Sequence, residues 1–150
     1  MRSAVTAVRA TNLLAFPVRL HGIQLGRPVD VLLDRDELRV LGLDVECGDE
    51  IHRFLPLPTA VIAAGEIAIR SPFVLLEADQ LAFYRARAFT LEGLRGRTVE
   101  RAGRVVGRLV DVAVNPDGSL AEVVVDGGNG EERVPFDATV RFAPKSRSAA

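Results

Sequence analysis

An internal repeat constrains this chain more than any other feature. Displaced by 81 residues, Ala15 to Asp36 aligns with Gly96 to Asp117 without a gap. Identities fall at Val18/Val99, Gly22/Gly103, Gly26/Gly107, Arg27/Arg108, Val29/Val110, Asp30/Asp111, Val31/Val112 and Asp36/Asp117. With small gaps the match runs on: Leu38 meets Leu120, Asp44 meets Asp126, and Pro56-Leu57 meets Pro135-Phe136. One long element has no reason to repeat its glycines and aspartates at a fixed spacing, whereas a duplicated supersecondary unit does.

Each copy reads as β. In the second, Val106, Val110, Val112 and Val114 alternate with Gly107, Leu109, Asp111 and Ala113, the period of a strand. Asn115-Pro116-Asp117-Gly118 supplies a turn, Leu120 to Asp126 a second β-branched run, and Arg133 to Phe136 a third. The first copy follows suit, with a turn at Asp34 to Glu37, a strand from Leu38 to Glu46 and a turn at Cys47-Gly48-Asp49. Alternation predicts that Val29, Val31, Val110, Val112 and Val114 point inward, with Val123 and Val125 beside them. Short, closely spaced strands with polar turns point to small barrels.

Between the copies the period changes. Glu77 to Arg87 is rich in helix formers, and Leu76, Gln80, Phe83, Tyr84 and Arg87 fall three and four apart, so a helix of about three turns is expected to pack on a barrel. Phe89, Leu91 and Leu94 would anchor the chain after it. The expected partition is a first barrel over 13–75, a linker helix and connection over 76–93, a second barrel over 94–144, and loose termini at 1–12 and 145–150. A domain of about 65 residues buries only about 60% of its unfolded surface, so the two copies and the helix are expected to share an interface.

The ordered motifs carry a family resemblance. Gly96-Arg97-Thr98-Val99, the glycine turn at Gly103, Gly107-Arg108-Leu109-Val110-Asp111-Val112, the turn at Pro116-Asp117-Gly118, Val123 to Val125 and Val134-Pro135-Phe136 together resemble a PRC-barrel domain. That family is named from the barrel of the photosynthetic reaction centre H subunit and includes the C-terminal barrel of a ribosome maturation factor. The first copy matches less closely, with Ala15 in place of the opening glycine and extra residues before Pro56. The resemblance implies a mainly β chain of two PRC-type barrels in tandem joined by a short α-helix. It also implies a non-catalytic scaffold or adaptor that holds protein partners. The sequence shows neither the membrane helix of the reaction-centre subunit nor the RNA-associated domain of the maturation factor, so neither specific role is expected to carry over.

Residue chemistry points the same way. Gly26 and Gly107 precede the long strand and not a helix, which argues for close backbone approach over a phosphate-binding loop. Asp30 and Asp111, on the face opposite the valines, read as structural carboxylates that bond turn backbone or an arginine. Cys47 and His52 lie amid Asp44, Glu46, Asp49 and Glu50, but one thiol and one imidazole fall short of a zinc set, and no group to orient a Cys–His nucleophile is evident. No enzyme, cofactor or metal site is therefore expected. No apolar run approaches the ~18 residues of a membrane span. Thr6, Arg9, Thr11 and Asn12 interrupt any leader-like segment, so a cytoplasmic protein is expected, and a single cysteine accords with a reducing compartment.

The formal net charge of −1 conceals a bipolar distribution. Acidic residues crowd Asp30 to Glu50, and arginines crowd Arg85 to Arg108. Arg85, Arg87, Arg95, Arg97, Arg101 and Arg104 are the candidate partner-binding residues, expected to form a basic face for an acidic partner. That partner would be another protein, the acidic turn region of this chain (Asp34, Asp36, Asp44, Glu46 and Asp49) or a second copy. The alternative is a ribosome- or RNA-associated factor using the same face. Against it stand the absence of Trp and the lack of an aromatic stacking surface.

Overall fold

The computed structural model describes residues 7–144, and the chain is mainly β, arranged in two sheets. The first part forms β1 (Val8–Arg9), α1 (Ala10–Leu13), β2 (Val18–Leu20), β3 (Ile23–Asp34), β4 (Val40–Cys47), β5 (His52–Pro56), β6 (Ala60–Ala63) and β7 (Glu66–Ile69). Then come α2 (Ala78–Arg87), β8 (Ala88–Thr90), α3 (Leu91–Leu94), β9 (Thr98–Arg101), β10 (Arg104–Val114), β11 (Leu120–Asp126), β12 (Glu131–Pro135) and β13 (Val140–Phe142). One sheet runs β5-β4-β3-β2-β7-β6 with β8 added on β3; the other runs β12-β11-β10-β9-β13 with β1 added on β10. Among the described residues neither sheet closes on itself through strand pairing. Beyond β5 the edge is met by a bridge from Phe54 to Leu76.

The repeat is visible in the ladders. The β2–β3 and β9–β10 hairpins turn on His21-Gly22 and Ala102-Gly103, with φ of 50° and 81° in one and 52° and 80° in the other. Two-residue loops of this kind need positive φ at both positions, which is why each copy keeps a glycine at the second. Register shifts also recur at the displaced positions. β2 against β3 slips between Val18 and Arg19, and β9 against β10 slips between Val105 and Gly107, opposite Glu100 and Val99. β3 bulges against β4 between Pro28 and Asp30 and again between Leu32 and Leu33, while β10 bulges against β11 between Leu109 and Asp111 and between Ala113 and Val114. The sheets depart from one another beside β2 and β9: β2 pairs in parallel with β7, whereas β9 pairs antiparallel with β13.

These bulges correct the simple alternation. Val29 and Val110 are the extra residues of the two bulges, so Val29 is exposed and Val110 only half-buried, against the expectation that both point inward. A bulge puts two residues opposite one and resets the alternation beyond it. Val31, Val112, Val114, Val123 and Val125 are buried in one apolar cluster shared by both sheets, together with Leu33, Leu43, Leu55, Leu109 and Val99.

The two units exchange their first elements. β1 lies on β10, with Val8 opposite Val114 and Arg9 opposite Ala113. Displaced by 81 residues, β8 does the converse, with Phe89 opposite Leu33 and Thr90 opposite Leu32. Each strand leads into a four-residue helix, α1 or α3, whose apolar residues (Ala10 and Leu13; Leu91 and Leu94) are fully or almost fully buried. Residues 8–12, placed in the first terminus by the expected partition, lie in β1 and α1, and β1 pairs with the strand of the other unit. The remainder of that expectation, residues 1–6 and 145–150, lies outside the described residues.

α2 also differs from its expected stripe. Leu81 is its one buried residue among those described, and it joins Leu32, Phe54 and Ala88 in a small second cluster on the outer side of the first sheet. Tyr84 stacks on Phe54 at 4.4 Å between ring centroids. Phe83 instead faces outward, where the Arg87 guanidinium lies 3.8 Å from its ring centre. The expected stripe put Phe83 beside Tyr84, but a helix only ten residues long buries the face centred on Leu81 and Tyr84, and Phe83 falls off it.

Candidate interaction site

Three buried carboxylates, Asp30, Asp44 and Asp111, organise the polar side of the sheets. Asp111 is fully buried, and its oxygens accept from Val112 N at 2.9 Å, Thr11 N at 3.2 Å, Arg9 Nε at 2.8 Å and the Thr11 hydroxyl. Asp30 repeats the backbone half of this arrangement. Its Oδ1 accepts from Val31 N at 2.8 Å and from Glu92 N at 3.3 Å, and Glu92 is the displaced equivalent of Thr11. Its Oδ2 accepts nothing among the described residues, because Thr90 and Glu92 stand where the other arm has Arg9 and Thr11, and the Thr90 hydroxyl is engaged by Gly93 N. Burial holds the Asp30 carboxyl above the ordinary range, against the lowering effect of its two backbone donors.

Asp44 lies across the ladder from Asp30 and accepts from His52 Nδ1 at 2.8 Å and Arg85 Nη1 at 2.6 Å. Cys47 is buried in the central core, three residues along β4 from Asp44 and hence on the opposite face from the Asp44–His52 pair. Cys47 and His52 therefore do not converge. Among the described residues no three His, Cys, Asp or Glu side chains come together as a metal cage.

The six candidate arginines are dispersed over several elements. Arg85 bonds Asp44, Arg87 covers Phe83, and Arg95 sits 3.9 Å from Glu92. Arg97 donates its Nε to the Gly93 carbonyl at 3.0 Å. Arg101 pairs with Asp137 at 2.9 Å, and Arg104 is exposed at the start of β10 without an ion pair among the described residues. Asp137 sits below the usual carboxylate range chiefly because the Thr139 hydroxyl and N–H donate to it, with Arg101 adding to the effect. Of the acidic set, Asp34 accepts from its own turn, Asp49 binds Arg53 through both oxygens, and only Asp44 meets one of the six arginines. Gly26 and Gly107 are close-approach positions. An added Cβ would lie 2.5 Å from the Glu46 carbonyl oxygen in one and 2.7 Å from that of Asp126 in the other.

A wide concavity lies elsewhere among the described residues, between the β3–β4 end of the first sheet and the segment that leads into α2. It is a groove of about 900 Å³ bordered by Leu25, Cys47, Arg53, Phe73, Leu75 and Glu77. Phe73 is 89% exposed at its rim, in a single turn fixed by Pro72 and by the Ser71 hydroxyl, which accepts from Phe73 N at 3.1 Å. Sequence reading missed this residue; its one signal was an aromatic directly after Ser71-Pro72. No helix among the described residues is long and apolar enough to cross a membrane. No protein-family model matches the chain, and no curated protein matches it.

Proposed function

We propose that the chain is a non-catalytic protein-binding module of the PRC-barrel type, with its two sheets as tandem barrel-like units joined through α2, acting as an adaptor in the cytoplasm. The observation that carries this reading is the groove beside Phe73. A phenylalanine held almost wholly in water by a proline and a side-chain cap, next to a largely apolar concavity, is the surface of an anchor residue for a partner. Its rim carries Glu77, Asp79 and the Asp49–Arg53 pair, which favours a partner segment that combines apolar and basic residues.

The test is an affinity capture with immobilised wild type and Phe73→Ser, from extracts with and without nuclease. The expected result is a protein retained by wild type after nuclease treatment and depleted at least tenfold on Phe73→Ser. Equal retention on both would overturn the groove as the docking site. Capture abolished by nuclease would transfer the reading to the RNA-associated alternative.

A further inference from the structure

The duplication provides an internal control that separates what the fold requires from what it does not. Arg108 has a counterpart in Arg27 and Gly107 in Gly26. Arg95 and Arg97 have none: displaced by 81 residues they meet Leu14 and Phe16, partly buried apolar side chains packed on the core. The first unit therefore makes the connection from α1 to β2 with apolar side chains, and the second has guanidiniums at the same places between α3 and β9. Nothing in the shared architecture demands that charge.

Arg95, Arg97 and Arg108 line one hollow of about 420 Å³, together with Gly96 and Thr98. Among the described residues its one acidic neighbour is Glu92, whose side chain is 81% exposed and 3.9 Å from Arg95. Arg97 is held by its Nε bond to Gly93 and by Phe89, whose ring centre is 5.5 Å away, and its terminal amino groups donate to nothing among the described residues. Arg108 forms no ion pair among the described residues and is exposed. Among the described residues three cations thus face one exposed anion, with at least two guanidinium forks unspent.

We propose that this hollow binds a compact polyvalent oxyanion, inorganic phosphate or pyrophosphate being the simplest forms. Guanidinium forks match phosphate oxygens bidentately, and three of them exceed what a single carboxylate can engage. The volume lies near the lower end of small-ligand sites, with room for a hydrated phosphate or a pyrophosphate and not for a large cofactor. A nucleic-acid backbone presents one charge per phosphodiester, and proteins that hold single strands add exposed aromatic platforms, whereas Phe89 here is only partly exposed and flanked by Arg35 and Arg97.

The experiment is titration calorimetry of the full chain with phosphate, pyrophosphate and a short oligouridylate at constant ionic strength. Variants are Arg95→Leu, Arg97→Lys and, as a control outside the hollow with the same loss of charge as Arg95→Leu, Arg104→Leu. Expected is pyrophosphate binding that weakens at least tenfold in Arg95→Leu and severalfold in Arg97→Lys, where charge remains but the fork is lost, and is unchanged in Arg104→Leu. Unfolding midpoints close to wild type for all three would assign these losses to the site. No pyrophosphate binding at millimolar concentration, or equal weakening in Arg104→Leu, would overturn the proposal. Oligouridylate binding that depends on Arg95 and is not displaced by pyrophosphate would overturn it as well, in favour of a backbone-phosphate surface.

Discussion

Asp111 and Asp30 occupy the same place in two copies of one unit, yet they differ in what completes them, and Asn substitution should separate them sharply. In Asp111→Asn the Oδ1 position keeps its two backbone donors, but the amide NH₂ then faces Arg9 Nε and the Thr11 hydroxyl. Breaking a buried ion pair from one side costs about 3–5 kcal/mol when both charges are sealed. The Arg9 side chain is 31% exposed and regains some water, which lowers the figure to about 2–4 kcal/mol. In Asp30→Asn the oxygen that accepts from Val31 and Glu92 survives, the altered atom had no protein donor, and the Arg85–Asp44 pair remains in place. The cost there should stay within about 1 kcal/mol. Urea unfolding followed by circular dichroism at pH 7 measures both. For a chain of this size each kcal/mol moves the thermal midpoint by about 2–4 °C, so a gap of several degrees should separate the two variants. Equal costs, or a larger cost for Asp30→Asn, would refute the assignment of Arg9 and Thr11 as the completing donors.

The same substitution yields a pH prediction. Because the folded carboxyl of Asp30 is raised above its ordinary value of 3.8, the stability it contributes is full below that value and is lost as pH rises through the folded pKa. Wild type should therefore lose stability relative to Asp30→Asn as pH rises from about 4 toward neutrality, read by unfolding midpoints across that range; a constant difference would contradict the raised carboxyl. Val112→Ala should cost about 1–3 kcal/mol through lost burial and a cavity, and Val110→Ala under about 1, since only Val112 is sealed in the core; chemical denaturation decides. Gly26→Ala should cost about 1–3 kcal/mol, because its Cβ would press on the Glu46 carbonyl and the β3–β4 ladder would have to part; a neutral result would mean the strands slide freely there.

The repeat, the strands around it and the glycine hairpins were legible because each rests on local chemistry: β-branched runs, turn residues and a spacing that recurs. What failed did so where local reading meets non-local packing. Alternation placed Val29 inward because a period of two has no term for a bulge, and the bulge at Val29 is fixed by β4 across the ladder, not by β3 alone. The first arm carries little signal in sequence because Val8 and Arg9 pair with Val114 and Ala113, about a hundred residues away, and its displaced match to Phe89–Leu94 shares only the leucine of Leu13/Leu94. The arginine run looked like one face because its members are close in sequence. Its strands and helices then carried Arg85 to Asp44 and Arg101 to Asp137, and left Arg95, Arg97 and Arg108 around a separate hollow. Phe73 gave no periodic signal at all.

Exchange of arms explains why the copies diverged unevenly. A unit whose arm lies on its neighbour cannot cover its own long strand, so the far ends of β3 and β10 each depend on the other unit for a strand partner and for the helix N–H that reaches the bulge aspartate. The backbone half of that contact is the same in both copies: Val31 and Val112 N–H groups from within, Glu92 and Thr11 N–H groups from the arm. Removing the side-chain oxygen at either site would orphan those donors, which accounts for an Asp or Asn side chain at both sites irrespective of any partner. The side-chain half carries no such constraint. Arg9 and Thr11 seal one aspartate, whereas the second arm has Thr90 and Glu92 at those positions and continues into Arg95 and Arg97, which line a hollow where the counterpart segment packs the partly buried Leu14 and Phe16 on the core. Surface chemistry thus varies where the shared backbone contacts already hold the arm, and that is where a duplicated fold can acquire a binding site without loss of its core.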